Sequence, residues 1–297
     1  MPTNSPRAVF VTRESDYAGL LARHATREQA RFFLESRGQK IETLEERDRQ
    51  LQEAFKQARA QVPEDWRQTH VRRDDLDRFL FGPEDVIVPV GQDGLVANVA
   101  KYLAGQPVLG INPAPDLYDG VLVRVPLRHL ARLLRASIAG AAPVEHRTMV
   151  EAVLDTGDRL LALNEVFVGH RSHQSARYGI ADGAAHEDHS SSGLIVASGT
   201  GATGWARSIM EATGNRLPLA PQERAIAWFV REPFPSIATG TAMRAGKLAD
   251  APLQVTSRMN DGGVIFADGM EQDFLAFDWG RRVSLGPAAH ALHLVTG

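Results

Sequence analysis

Asp85-Val86-Ile87-Val88-Pro89-Val90 runs into Gly91-Gln92-Asp93-Gly94, then a helical stretch Leu95 to Leu103, then Pro107-Val108-Leu109-Gly110-Ile111-Asn112. A β-branched run, a glycine turn, a helical pattern and a second apolar run make a βαβ unit, which requires a parallel sheet. Upstream, Ala8-Val9-Phe10-Val11 reads as another buried strand. Leu20, Leu21, Ala25 and Phe32-Phe33-Leu34 recur at helical spacing. Glu42 to Arg59 continues that bias with a solvated, charged face until Pro63 stops it. Leu127 to Ala136 adds an amphipathic helix.

The pattern changes near Gly140 to Pro143. Met149 to Leu154, Arg159 to Val168 and Leu194 to Ala197 are short strand-like runs between turn signals. Asn260-Asp261-Gly262-Gly263 sits between apolar runs as a hairpin signal. These features predict two domains, an α/β domain over residues 1–140 and a β-rich, sandwich-like domain over 141–297.

The chain has 297 residues, 43% hydrophobic and 23% charged, enough to bury a core. Lys and Arg total 33 against 36 Asp and Glu, a formal charge of -3, so nucleic acid and anionic membranes are not the expected partners. Cysteine is absent, which excludes disulfides, thiolate catalysis and Cys-ligated metal. No leader pattern and no membrane-length apolar run are evident, so a soluble cytoplasmic protein is expected.

Four places carry candidate chemistry. Asp93 lies at the carboxyl end of a parallel strand, where open α/β sheets bind ligands. Gly91 and Gly94 would let backbone amides approach phosphate, and a carboxylate there can take a proton from an attacking hydroxyl. On spacing alone the plainer reading, Asp93 capping the helix, is favoured. Gly199-Thr200-Gly201-Ala202-Thr203-Gly204 matches G-x-G-x-x-G after Leu194 to Ala197 and before a helix starting at Trp205. A hydride-transferring oxidoreductase would also need an acidic residue ending a second strand, and Asn215 to Pro221 is no such strand. Asn164-Glu165 interrupts an apolar strand, so the pair needs partners: a hydroxyl-rich ligand or a water-facing strand edge. His170, His173, His186 and His189 fall in two i,i+3 pairs. Residues i and i+3 face opposite sides of a strand, so a shared metal would need loop or helix geometry; Asp182 to Ser192 reads as a hairpin loop, and solvated loop histidines are favoured over a transition-metal site.

Together these motifs resemble the NAD kinase family. Gly91-Gln92-Asp93-Gly94 resembles its GGDG turn, Pro107 to Asn112 its P-V-(L/I)-G-(I/V)-N strand, and Ala162-Leu163-Asn164-Glu165-Val166 its A-L-N-E-V segment. Thr200 to Trp205 stands where the family has T-G-S-T-A-Y, and Ala267-Asp268-Gly269 resembles its final D-G turn. Asn112 to Pro115, Ala162 to Gly169, Ser191-Ser192-Gly193 and Arg231-Glu232-Pro233 are closest to the mitochondrial-type branch. The resemblance implies two domains with a dinucleotide cleft between them. It also implies ATP- and Mg²⁺-dependent phosphorylation of the adenosine 2′-hydroxyl of NAD by a homodimer or homotetramer; no metal-ligating residue is assigned in this sequence. By the same resemblance Asp93 is the general base, and Gly91, Gln92, Gly94, Asn112, Thr200 and Gly201 lie in the nucleotide-binding turns. Asn164 and Glu165 hydrogen-bond the dinucleotide, and Thr203, Gly204, Trp205 and Ser208 line the adenosine pocket. Gln92 replaces the family's second glycine, Ser192 its frequent Asp, and Trp205 its Tyr. The competing readings are a non-catalytic NAD(P) sensor of the same fold and, more remotely, an NAD(P)-dependent oxidoreductase.

Overall fold

A computed structural model describes residues 5–297. The chain divides into two compact units: 1–99, 106–145 and 293–297 form the first, and 100–105 with 146–292 form the second. The chain passes from one unit to the other after Val99, Gly105, Glu145 and Leu292.

In the first unit, strands β1 (Arg7–Thr12), β2 (Arg67–Arg72), β3 (Asp85–Pro89) and β4 (Pro107–Val108) are joined by the chain's last strand (Leu292–Val295) and by β5 (Val144–Arg147). β1 runs parallel to β2 and β3, β3 to β4, and β4 to the last strand. Ala8 to Val11 and Val86 to Val88 are fully buried, as strands of a parallel sheet covered on both faces must be. Helices α1 (Asp16–His24), α2 (Arg27–Glu35) and α3 (Ile41–Ala60) gather Leu20, Ala30, Leu34 and Ile41 into a small core. Ser15 and Thr26 cap the first two by accepting the amides of Ala18 and Gln29. The expected helix after the glycine turn is α4 (Asp93–Ala100), and α5 (Leu130–Ile138) buries Leu130, Leu133 and Leu134. Regular pairing of β4 stops at Val108, short of the expected Asn112. Beyond it Leu109 and Ile111 still donate to Ile87 and Pro89 at 2.8 Å, while the Gly110 carbonyl turns to accept Val125.

The second unit stacks two six-stranded antiparallel sheets. One contains β6 (Val150–Leu154), β7 (Arg159–Ala162), β9 (Ala176–Asp182), β10 (Ala185–Ser191), β14 (Leu253–Ser257) and β17 (Arg282–Pro287). The other contains β8 (Glu165–His170), β11 (Leu194–Ala197), β12 (Ile226–Val230), β13 (Ala245–Leu248), β15 (Gly263–Ala267) and β16 (Phe274–Ala276). Val150, Tyr178, Ile180, Val255 and Leu285 of the first meet Val166, Val196, Trp228 and Ile265 of the second in one apolar layer. Helix α6 (Trp205–Thr213) covers the outer face of the second sheet through Ala206, Ile209 and Met210.

Three local expectations are corrected. Arg159 to Val168 is not one strand, because the chain leaves the first sheet at Ala162 and enters the second at Glu165. Asn260 to Gly263 is not a hairpin turn: β14 and β15 lie in different sheets, and Gly262 at φ 69° carries the crossing. Asp182 to Ser192, expected as a hairpin loop, does lie in a hairpin, but most of it is the second strand, with the turn at Gly183, φ 58°.

Candidate functional site

The glycine turn of the first unit is built around one carboxylate. Gly91 donates to Ile111 at 3.0 Å, continuing the sheet by one bond past β3. Asp93 then opens α4, but its side chain does not cap that helix. Its Oδ2 accepts the amide of Val121 at 2.9 Å, and its Oδ1 accepts Leu122 at 2.8 Å and Val123 at 3.2 Å. The capping reading, favoured by spacing alone, is thereby corrected: Asp93 clamps a loop nearly thirty residues away. A carboxylate offers about four lone-pair positions, so the clamp leaves acceptor capacity on Oδ2. Asn112 folds the same loop from its other end, donating to the Tyr118 carbonyl at 2.7 Å and accepting Ala114 at 3.0 Å. The loop passes so close to β4 that a Cβ on Gly110 would overlap the Leu122 carbonyl. By contrast a Cβ on Gly94 would meet nothing within 4 Å, and Gln92 is exposed.

The second unit repeats the device. Asp268 sits at φ 50°, in the left-handed region that Asp tolerates better than most residues. Its Oδ2 accepts Leu163 at 2.8 Å, and its Oδ1 accepts Asn164 at 2.8 Å and Glu165 at 3.2 Å. This clamp breaks the expected strand and presents Asn164 and Glu165. Ser198 holds the segment from behind: its hydroxyl donates to the Leu163 carbonyl, its amide donates to the Asn164 carbonyl at 2.9 Å, and its oxygen accepts Thr200 and Gly201. Gly201 lies against the Asn164 carbonyl, with no room for a Cβ. The Asn164–Glu165 pair and the Thr200–Gly201 turn therefore form one hydrogen-bonded structure.

Both side chains of the pair are half-buried, yet neither has a hydrogen-bond partner among the described residues. Burial, and secondarily the neighbouring Asp268, pushes the Glu165 carboxyl up to about 7. Asp268 is raised to about 6 by burial, against the opposing pull of its three amides and of Lys101. For Glu165 the sign follows directly. A raised carboxyl contributes stability below its unfolded value of 4.5, and that contribution is lost as pH rises through 7. Above pH 7 the folded chain carries a half-buried, unpartnered charge costing about 1–3 kcal/mol. Glu165→Gln is therefore expected to raise the thermal midpoint at about pH 8.5, the gain closing as pH falls toward about 4.5. Calorimetric scans across that range check this, and a pH-independent difference would contradict it.

Thr203, Gly204 and Ser208 are exposed at the start of α6, while Thr200 is buried, its hydroxyl 3.4 Å from the Arg147 guanidinium. The Trp205 ring lies parallel to Phe167, centroids 6.1 Å apart, with Arg231 5.0 Å from its centre. Sequence reasoning missed Ser198, and it marked Phe167 and Arg231 only as parts of motif segments, with no place beside Trp205. Its solvated-histidine reading fails at His189, which is buried on β10 with Nε2 3.0 Å from Glu187. Among the described residues no group of three His, Asp or Glu could hold a metal ion.

β11 is antiparallel to both β8 and β12, so the G-x-G-x-x-G match does not sit in a βαβ unit and is no Rossmann fingerprint. A parallel α/β unit with a glycine turn at its carboxyl edge, followed by a β-sandwich, defines the architecture. No protein-family model matches the chain. An NAD kinase of Cupriavidus pinatubonensis is 33% identical over 150 residues, 46% of this chain and 48% of that protein. An NAD kinase of Heliobacterium modesticaldum is 36% identical over 135 residues, 42% and 46% of the two chains. The chain thus spans about half the length of the curated relatives it matches. Two solved structures align along nearly all of it. One is an NAD kinase from Archaeoglobus fulgidus in complex with ATP, with a TM-score of 0.59, 18% identity and coverage of 98% and 93%. The other is yeast NADH kinase complexed with NADH, with a TM-score of 0.59, 14% identity and coverage of 99% and 84%. Rather less than half of the chain is thus similar in sequence to NAD kinases, and the whole chain has the fold of the two solved structures.

Proposed function

We propose that this protein is an NAD kinase, transferring the γ-phosphate of ATP to the adenosine 2′-hydroxyl of NAD to give NADP and ADP. The observation that carries the reading is the half-buried Asn164–Glu165 pair, whose side chains have unspent hydrogen-bonding capacity beside a glycine turn. Ribose hydroxyls, each a donor and an acceptor, would complement an amide and a carboxylate. The curated relatives and both solved neighbours, named for NAD or NADH kinases, support the same substrates.

In this reading Asp93 takes the proton of the 2′-hydroxyl through the lone pair left on Oδ2. The freed oxygen forms its bond to the γ-phosphorus, and ADP leaves with the electron pair of the bond that breaks. Asn164 and Glu165 fix the dinucleotide. Thr203, Gly204, Trp205 and Ser208 take the adenosine, Trp205 by stacking. Gly91, Gln92, Gly94, Asn112, Thr200 and Gly201 shape the turns that receive the nucleotides. Mg²⁺ needs few protein ligands when phosphates supply its oxygens. It is therefore proposed to arrive with ATP and to neutralise charge on the transferring phosphoryl group. The mitochondrial-type branch, a homodimer or homotetramer and a cytoplasmic location complete the proposal. Light scattering would give the subunit number.

The deciding assay supplies purified protein with NAD, ATP and Mg²⁺ and reads NADP with an NADP-specific coupled dehydrogenase. Saturable NAD binding by calorimetry with no NADP would favour the sensor reading instead. Gln92 is exposed and stands in the turn beside Asp93, so Gln92→Gly is expected to lower the apparent ATP constant by about threefold. A constant that holds or rises would show that this side chain does not obstruct the donor.

A further inference from the structure

The second unit contains a charge cluster that phosphoryl transfer leaves unused. The Lys101 side chain is 2% exposed, and its Nζ lies 2.5 Å from Asp273 Oδ2. The Tyr102 hydroxyl donates to that same oxygen at 2.6 Å, and the Tyr102 ring centre is 5.1 Å from the ammonium. Burying a lysine is costly, and a neutral side chain would meet a purely steric need at lower cost.

Asp273 belongs to the turn that carries Asp268. Met270 donates to Ala267 at 2.9 Å and Asp273 donates to Met270 at 3.2 Å, so residues 267–273 form one continuous folded segment. One end of it grips the amides of Leu163, Asn164 and Glu165 through Asp268, and the other is gripped by Lys101 and Tyr102.

We propose that Lys101 is a positioning residue for dinucleotide recognition: by holding Asp273 it fixes the turn whose Asp268 sets the Asn164–Glu165 segment. Only the identity of the ligand rests on the kinase reading. Lys101 also acts electrostatically. Of the charged groups around Asp268, Glu165 on β8 opposes its ionisation, while Lys101, paired with Asp273, favours the carboxylate that the three amides require. Removing the ammonium leaves this cluster of carboxylates without its cation.

The test compares Lys101→Met with Lys101→Arg in the full chain. Peptide-resolved hydrogen exchange is expected to show amides 163–165 exchanging at least about tenfold faster in Lys101→Met, with the central strands of both sheets unchanged. NAD affinity by calorimetry should fall roughly tenfold, with its acid limb moved to higher pH, and Lys101→Arg should recover most of both. Should Lys101→Met fail to fold, Asp273→Asn removes the same ion pair and is expected to give the same exchange and affinity changes. Normal exchange at 163–165 with normal NAD affinity would overturn the proposal. So would a uniform rise in exchange across the unit that Arg does not rescue, since that marks general packing. If wild-type protein binds no NAD, the kinase reading fails, and exchange at 163–165 still decides the role of Lys101.

Discussion

Asp93→Asn is expected to lower NADP formation by about a thousandfold while changing NAD affinity by no more than a few-fold. Asparagine keeps the size of the side chain but replaces one acceptor oxygen with a donor. The residual lone pair that takes the proton is lost or no longer basic. The same exchange sets an NH₂ group against at least one of the amides of Val121, Leu122 and Val123, which now point at carboxylate oxygens. That clash carries its own cost, about 1–3 kcal/mol of stability. Turnover, calorimetric NAD affinity and denaturant midpoint must therefore be measured together. Loss of turnover far beyond the loss of stability, with NAD still bound, supports the base. Retained turnover would sink that assignment and leave Asp93 as a loop clamp alone.

Gly201→Ala is expected to destabilise the protein by about 1–3 kcal/mol and to weaken NAD binding at least tenfold. An alanine Cβ at this position would overlap the Asn164 carbonyl and lie 2.6 Å from its carbon and 2.9 Å from Asn164 Cα. Those atoms are backbone and cannot rotate aside. They are held by the Ser198 amide on one side and by the Asp268 clamp on the other. Either the Thr200–Gly201 turn or the Asn164–Glu165 segment must shift, and both belong to the proposed dinucleotide site. Gly19→Ala is the matched control, because its Cβ would meet nothing nearer than the Glu14 carboxylate at 3.8 Å and its place inside α1 suits alanine. Denaturant melts and calorimetry on the two variants read the contrast. Equal stability and equal affinity would refute the packing account.

The first unit was largely legible because its signals are local. The run from Val86 to Val88 and the glycine turn after it specify a buried parallel strand entering a helix, and that is what forms. The architecture of the second unit was legible only in class. The break at Asn164 depends on a carboxylate more than a hundred residues away, so the apolar run Leu161 to Val168 gives no hint of it. Asn260 to Gly263 has the composition of a hairpin, and only the partners of β14 and β15 reveal a crossing between sheets. Lys101, at the end of a helical pattern, carries no sequence signal of its pairing with Asp273. The resemblance singled out Asp93 and Asp268 as motif residues, and the three amides each one holds come from folding alone.

The two clamps differ greatly in the length of chain they close. Asp93 reaches amides 28 to 30 residues ahead of it, whereas Asp268 reaches back 103 to 105 residues. The longer closure costs roughly 1 kcal/mol more chain entropy. During synthesis the order is fixed more firmly still. The Asp93 loop can close once residue 123 has left the ribosome, while Leu163 to Glu165 wait for residue 268. A nascent chain halted between those points could close the Asp93 loop but not the Asn164–Glu165 segment, so the proposed dinucleotide site would mature late in translation.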